Sequence, residues 1–185
     1  NRWWNIPIRA VNQGIGYSNY TKEIEETKIH SSLYVDECFG TVFNRFVVKM
    51  LLEVPLTIYG EGQQQRGFLS LNDSIQCLEL LIDNPAQGFR NVNQLDQVFS
   101  INDIANEIDF YRRTETMLKG GLEHIDTPRK ERCSNFYYKP EVQILKELGF
   151  KHTRTIKDEI DFTIQNVDMG LLERLRVFVY PKIRW

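Results

Sequence analysis

Apolar residues recur at helical spacing between Gly40 and Pro55. The apolar positions in this segment are Val42, Phe43, Phe46, Val47, Met50, Leu51 and Val54. Spacings of three and four residues place these side chains on one face of a helix, and a glycine before it and a proline after it are typical helix boundaries. We therefore predict a well-packed amphipathic helix over residues 41–54.

Shorter apolar runs predict the strands of a sheet. The run over residues 6–11 ends in polar Asn12, Gln13 and Gly14, which is typical of a buried strand that leads into a loop. Residues 89–93 are predicted to form another strand. We expect these two segments to be strands of one mostly parallel sheet, and ligands bind outside the carboxyl ends of strands in such sheets.

The remaining pattern alternates between strands and helices. Residues 56–59 and 67–71 are predicted strands, and a glycine-rich turn follows the first of them. We predict helices from residues 72–84, with Asp73 or Ser74 as the cap, and from Ser100, with Asp103 at the acidic position of a capping box. Two more helices are expected near residues 140–148 and 156–167. The predicted fold class is therefore α/β.

Composition excludes several classes of function. The chain has 185 residues, of which 42% are hydrophobic, and a formal net charge of −2. This charge gives no reason to expect nucleic acid as a partner. Because no apolar run approaches the length of about 20 residues that spans a bilayer, we expect no membrane span.

Cysteine and histidine residues indicate neither disulfides nor a metal site. The three cysteines, Cys38, Cys77 and Cys133, are odd in number and far apart, so a reducing compartment such as the cytoplasm fits them best. We expect Cys77, on the apolar face of its helix, to be a small buried hydrophobic residue. The histidines are His30, His124 and His152, and none has cysteines or carboxylates at ligand spacing.

Two loops contain arginines that could bind phosphate. In the loop from Gly60 to Gly67, the glycines would let the backbone approach a ligand and Arg66 could clamp a phosphate with its planar fork of donors. Arg129 and Glu131 follow a predicted strand and could hold a diphosphate and a ribose hydroxyl. The alternatives, a hairpin with a solvated arginine and a surface charge run, are more frequent for such patterns taken alone.

A third cluster, residues 12–17, contains Gly14 and Gly16 directly after the first predicted strand. These glycines do not complete a Gly-x-Gly-x-x-Gly fingerprint, because Asn19 occupies the last position. As a dinucleotide motif, the segment is weak by itself.

Taken in order along the chain, these segments resemble the second half of the UDP-sulfoquinovose synthase family. The matching segments are Val-Asn-Gln-Gly-Ile-Gly-Tyr at 11–17, Phe-Gly-Thr-Val-Phe-Asn-Arg-Phe at 39–46 and Pro-Leu-Thr-Ile-Tyr-Gly-Glu-Gly-Gln-Gln-Gln-Arg-Gly-Phe-Leu at 55–69. This family is a branch of the NAD-dependent epimerase/dehydratases, which are extended short-chain dehydrogenase/reductases. The resemblance implies part of a Rossmann-like, NAD-binding sheet, with strands near 6–11 and 89–93. It also implies a small α/β lobe that binds a sugar nucleotide, at about 55–72 and 121–185.

The resemblance also indicates what this chain lacks. The family's dinucleotide loop and its catalytic Tyr-x-x-x-Lys pair precede the matched region, and none of the eight tyrosines here has a lysine four residues later. We therefore expect the chain to be the C-terminal part of a longer protein and to contain no catalytic residue.

The resemblance assigns binding roles to seven residues. Gln13 and Tyr17 would lie near the NAD cofactor, and the substrate-binding residues would be Asn44, Arg45, Arg66, Arg129 and Glu131. The whole enzyme would convert UDP-glucose and sulfite to UDP-sulfoquinovose, as a homodimer in the cytoplasm, or in the plastid stroma of a photosynthetic eukaryote. A related UDP-glucose 4-epimerase or 4,6-dehydratase, and a non-catalytic nucleotide-sugar-binding module, remain alternatives.

Overall fold

A computed structural model describes residues 6–27, 33–36, 39–95, 97–126 and 140–180. The strands are β1 (Ile8–Gln13), β2 (Ile15–Tyr17), β3 (Leu56–Tyr59), β4 (Gln65–Ser70), β5 (Phe89–Gln94), β6 (Gln97–Ser100) and β7 (Leu122–Ile125). The helices are α1 (Lys22–Thr27), α2 (Val42–Leu51), α3 (Leu71–Asp83), α4 (Ile101–Tyr111), α5 (Gln143–Glu147), α6 (Ile156–Asn166) and α7 (Met169–Val179), and a π-helical turn, Arg112–Thr116, continues α4. The α/β fold class is confirmed.

The predicted pairing of the two strands near residues 6–11 and 89–93 is also confirmed. β1 and β5 are parallel, in a register that runs from Ile8 opposite Phe89 to Gln13 opposite Gln94. Their carboxyl ends therefore lie side by side. The division of the chain into a sheet part and a smaller lobe stays a prediction.

The other strands form two further small sheets. In one, β4 lies between β2, to which it is parallel, and β6, to which it is antiparallel. In the other, β3 pairs in parallel with β7. The alternative prediction of a hairpin between β3 and β4 is therefore wrong. Both edges of β4 are already paired, so the link from Gly60 to Gln64 crosses from one sheet to the other.

Side-chain caps set the helix starts. Thr41 caps α2 by accepting a hydrogen bond from the Asn44 backbone N–H. Ser70, rather than the predicted Asp73 or Ser74, caps α3, because the helix starts at Leu71 and both predicted residues lie inside its first turn. The predicted capping box of α4 is confirmed, since Ser100 and Asp103 exchange hydrogen bonds.

Two apolar clusters join the strands to the helices that pack beside them. The larger one joins α2, α4 and α6 with β3 and β4, and its fully buried members include Phe43, Phe68 and Ile108. A second cluster joins α3 and α5 with β4 and β5 and includes Cys77, which confirms the prediction of a small buried hydrophobic residue there.

No helix in the described part of the chain is both long and apolar enough to cross a bilayer. Within the same residues, no group of three or more histidine, cysteine or acidic side chains is placed to hold a metal ion.

Candidate functional site

Polar side chains meet at the carboxyl ends of β1 and β5. Gln13, the last residue of β1, is exposed, and its Nε2 donates a hydrogen bond to Ser74 Oγ at 3.4 Å. Gln94, the last residue of β5, is 1% exposed, and its Nε2 donates to the same hydroxyl at 3.0 Å and to the Ser74 carbonyl at 2.8 Å. The first turn of α3 thus fixes both glutamines. This leaves Gln13 at the sheet edge where α/β proteins bind ligands.

Gly14 is explained by backbone packing. A Cβ atom at this position would lie 2.8 Å from the Gly67 carbonyl oxygen and 3.2 Å from the Leu95 Cβ. Its N–H also donates to the Gln94 carbonyl at 2.8 Å. The glycine therefore lets the chain pass from the β1 sheet to the β2 sheet in close contact with β4.

Tyr17 lies in the core of the described structure. Its residue is 4% exposed, and its ring packs against Phe43 and Phe68 with centroid distances of 4.8 and 6.2 Å. Its role beside a cofactor stays a prediction.

Asn44 ties the end of β2 to the start of α2. It is 6% exposed, and its Oδ1 accepts a hydrogen bond from the Ser18 backbone N–H at 3.0 Å. Ser18 has a left-handed φ of 69°. A substrate contact of Asn44 stays a prediction, whereas its contact with Ser18 fixes the loop beside the α2 N-terminus.

Arg45 lines a pocket of about 140 Å³ between α2 and β3. Lys49, one turn further along α2, lies in the same pocket, and so do Thr57, Tyr59 and Gln64. The apolar part of the wall consists of Val42, Phe46, Ile101, Phe178 and Val179. The pocket therefore combines two basic side chains with an apolar wall.

Lys49 is a candidate functional residue that the sequence reasoning missed. It is 4% exposed, and its Nζ donates a hydrogen bond to Thr57 Oγ1. The pKa of Lys49 is lowered to about 8, mainly by burial and also by the nearby Arg45 cation, while Glu123 partly opposes both effects. The only signal in the sequence was its position four residues after Arg45, on the same helix face.

Arg66 lies on β4, where it is exposed to solvent. Its Nη1 donates to the carbonyl of the preceding residue, Gln65, at 2.7 Å. It does not line the pocket of Arg45, although Gln64 does. Arg129 and Glu131 lie outside the described residues, so the predicted meeting of Arg66 and Arg129 at one anion site stays a prediction.

The loop before Arg66 is attached to α4. The N–H of Asn102 donates to the Gly62 carbonyl at 3.0 Å, and Asn102 Nδ2 donates to the Glu61 carbonyl at 2.8 Å. Gly62 has a φ of 70°, and a Cβ atom there would overlap the Asn102 side chain. Glycine is therefore required at position 62 both by the turn and by the close contact.

No family model matches the chain. It is 35% identical over 188 residues to a UDP-sulfoquinovose synthase of Sulfolobus acidocaldarius, an alignment that covers 98% of this chain and 47% of that protein. It is 34% identical over 193 residues to the chloroplastic UDP-sulfoquinovose synthase of Spinacia oleracea, with 98% of this chain and 38% of the relative covered. The chain thus spans less than half the length of these curated relatives.

Solved structures support the same fold. A UDP-glucuronic acid 4-epimerase from Bacillus cereus, crystallised with UDP-glucuronic acid and NAD, superposes with a TM-score of 0.57 at 18% identity. The superposition covers 89% of this chain and 47% of the epimerase. The sequence of the chain is thus similar to those of UDP-sulfoquinovose synthases, and its fold is that of the superposed epimerase.

Proposed function

We propose that this chain supplies the UDP-sugar-binding part of an NAD-dependent enzyme that converts UDP-glucose and sulfite to UDP-sulfoquinovose. The observation that carries the proposal is the sequence identity of 35% and 34% to two UDP-sulfoquinovose synthases, across 98% of this chain.

The carboxyl ends of β1 and β5 are the position at which we propose that the cofactor binds. Gln13 is exposed there, and its carboxamide can both donate and accept hydrogen bonds. The superposed epimerase binds NAD and a UDP-sugar. Gln13 and the carboxyl ends of β1 and β5 fit one end of a dinucleotide. Most of the dinucleotide would be bound by residues beyond this chain. When bound, NAD would supply a hydride acceptor that returns the hydride later, and Gln13 would help to orient it.

The exposed face of β4 is the position at which we propose that the substrate diphosphate binds. Arg66 projects from this strand without an ion-pair partner among the described residues, so its guanidinium is available to a phosphate. Arg129 would be the second ligand of the same diphosphate. A charge-assisted arginine contact contributes about 1.5 to 3 kcal/mol, so loss of either arginine should weaken UDP binding by about one to two factors of ten.

A related UDP-sugar epimerase or dehydratase is the second candidate, since the superposed structure is a 4-epimerase. Sulfite dependence separates the two functions. The full-length protein should form UDP-sulfoquinovose from UDP-glucose only when sulfite is present. Formation of a UDP-hexose epimer or a 4-keto-6-deoxy sugar without sulfite would replace the first proposal with the second.

Substrate binding is tested by titrating UDP-glucose into the full-length protein and into its Arg66→Ala and Arg129→Ala variants. Arg113→Ala is a matched control, because Arg113, on the π-helical turn, is also exposed but pairs with Asp109 of α4. Affinities of both test variants within about twofold of the control would reject the shared diphosphate site.

The 185-residue chain alone should show no dehydrogenase, epimerase or sulfite-incorporating activity, and turnover by it would show that the catalytic groups lie here.

We further propose that the whole enzyme is a homodimer that works in the cytoplasm, or in the plastid stroma of a photosynthetic eukaryote. The family resemblance motivates the dimer, and the cysteine content motivates a reducing compartment. Light scattering after gel filtration would measure the oligomeric state, and a monomeric mass would reject the dimer.

A further inference from the structure

Two arginines lie side by side near the amino ends of β1 and β5. Arg9 and Arg90 are partners in the parallel register of these strands, so their side chains leave the same face of the sheet. Gln13, at the carboxyl end of β1, is about 13 Å further along the strand. Like charges on neighbouring strands repel each other. The pair therefore needs a compensating group that the two strands do not supply.

Both arginines line a cavity of about 470 Å³ between the sheet, the loop after α3 and helix α5. The loop contributes Pro85 and Gln87 to the wall, and α5 contributes Glu147. Because the wall comes from three separate parts of the chain, the arginines face a concave site rather than a flat surface. A cavity of this size can hold a small ligand.

The arginines of this cavity lack an acidic partner. Neither forms an ion pair with a carboxylate of the residues that the structure describes. Glu147 lines the same cavity, but its Oε1 accepts a hydrogen bond from Gln143 Nε2, on its own helix, at 3.0 Å. The lining residues therefore carry two positive charges and one negative charge, and the negative charge is bound elsewhere.

Helix capping accounts for only part of the Arg9 side chain. Its Nη2 donates a hydrogen bond to the carbonyl of Asn84, the C-cap of α3, where a cation is favourable. Its Nε and Nη1 atoms are buried and have no hydrogen-bond partner in the described part of the chain. Burial of a charged group with unpaired donors is unfavourable. A negative charge in the cavity would compensate this cation.

We propose that the cavity binds a small oxyanion of the phosphate or sulfate class. The Arg90 guanidinium is exposed, and it donates to the oxygens of the anion with its planar fork. The buried charge of Arg9 stabilises the anion from the sheet. The anion is either free, as pyrophosphate or sulfate, or part of the phosphate chain of a nucleotide. Because the cavity lies at the amino ends of the strands, away from Gln13, its ligand does not compete with NAD or UDP-glucose.

Calorimetry on the full-length protein, saturated with NAD and UDP, tests this second site. Pyrophosphate and sulfate represent the free anions, ADP represents the nucleotide, and adenosine is the control without phosphate. At least one anionic ligand should bind at one site per chain and more weakly as the salt concentration rises, whereas adenosine should not bind. Binding of none of the anions would overturn the proposal. Anion binding that is seen only before saturation with UDP would place the anion in the substrate site and would also overturn it.

Two variants of exposed residues assign the binding to this cavity. Arg90→Ala should weaken the anion at least about tenfold, because a charge-assisted contact is lost. Glu147→Gln should tighten it about two- to fivefold, because a repelling charge is removed. Opposite changes of this kind do not arise from partial unfolding. Arg113→Ala is the matched control, because Arg113 is exposed and already paired with Asp109. Affinities within about twofold of the parent for both Arg90→Ala and Glu147→Gln would refute the assignment.

A glutamate-rich peptide tests the competing occupant, an acidic segment of a partner protein. Peptide binding that requires Arg90, together with no binding of the small anions, would make the cavity a protein-docking surface and reject the proposal. The result is also separable from the proposed function. If the parent binds neither NAD nor UDP but binds an anion through Arg90, the proposed function fails and this inference stands. If it converts UDP-glucose but binds no anion outside the substrate site, the reverse holds.

Discussion

The buried ion pair of Arg154 and Glu159 should contribute measurably to the free energy of unfolding. Arg154 Nε lies 2.8 Å from Glu159 Oε1, the Glu159 side chain is 0% exposed and the Arg154 side chain is 22% exposed. The guanidinium also lies over the Tyr20 ring, 4.1 Å from its centroid. The pair thus attaches the start of α6 to the segment that follows β2.

Replacing Arg154 with methionine leaves the Glu159 carboxylate buried without its cation. Removal of one partner from a buried pair costs about 3 to 5 kcal/mol, and loss of a cation–π contact adds about 0.5 to 2 kcal/mol. Protonation of Glu159 limits this cost, because burial already raises its pKa and loss of Arg154 would raise it further. We expect Arg154→Met to lower the free energy of unfolding by about 3 to 4 kcal/mol at pH 7.5.

The pH dependence follows from the sign of the shift. A carboxyl group with a raised pKa in the folded state contributes stability at pH values below its unfolded pKa of 4.5, and this contribution is lost as pH rises through the folded value. The penalty of Arg154→Met should therefore be smaller at pH 5 than at pH 7.5. Glu159→Gln should cost less than half as much as Arg154→Met, because the remaining arginine keeps some water contact and its place over Tyr20.

Urea unfolding followed by circular dichroism measures these differences, provided that the m-value is unchanged. Arg176→Met is the control for an exposed pair, since Arg176 contacts Glu173 on the surface of α7. Such pairs contribute about 0 to 1 kcal/mol. A loss for Arg154→Met no larger than that of the control, or a larger loss for Glu159→Gln, would show that the pair is not buried as the structure describes.

Three further outcomes are expected. Lys49→Met should stabilise the protein at pH 7, by about 1 to 3 kcal/mol, because the amine pKa is lowered from 10.5 to about 8. The parent should gain stability between pH 8 and pH 10.5, whereas the Lys49→Met variant should not. Urea midpoints that change with pH in the same way for both proteins would contradict this. Gly62→Ala should cost about 1 to 3 kcal/mol, because its φ of 70° is strained for alanine and its Cβ would overlap Asn102, and thermal unfolding would measure the loss. Ser100→Ala should cost about 0.5 to 2 kcal/mol by removing a capping box, and an unchanged unfolding midpoint would count against that box.

Local patterns predicted the elements that local interactions determine. The apolar face of α2 and the capping box of α4 are contained in a few neighbouring residues, so both were visible in the sequence. The pairing of β1 with β5 was also expected, because the family resemblance places both strands in one sheet. Strands β2 and β6 were missed, since three or four residues are too few to show a period, and their pairing with β4 depends on distant parts of the chain.

The candidate site shows the same limit at the level of single side chains. Arg66 was singled out by its glycine-rich loop and Arg45 by the family resemblance, yet the structure places them in different surroundings, one on an exposed strand and the other in a pocket. Lys49 had no such signal, because a lysine at a helical position is usually solvated. Its chemistry comes from burial, which depends on α7 closing the pocket from the far end of the chain. A residue type in a sequence therefore indicates a possible charge, whereas tertiary packing determines the cost of that charge and the ligand that can compensate it.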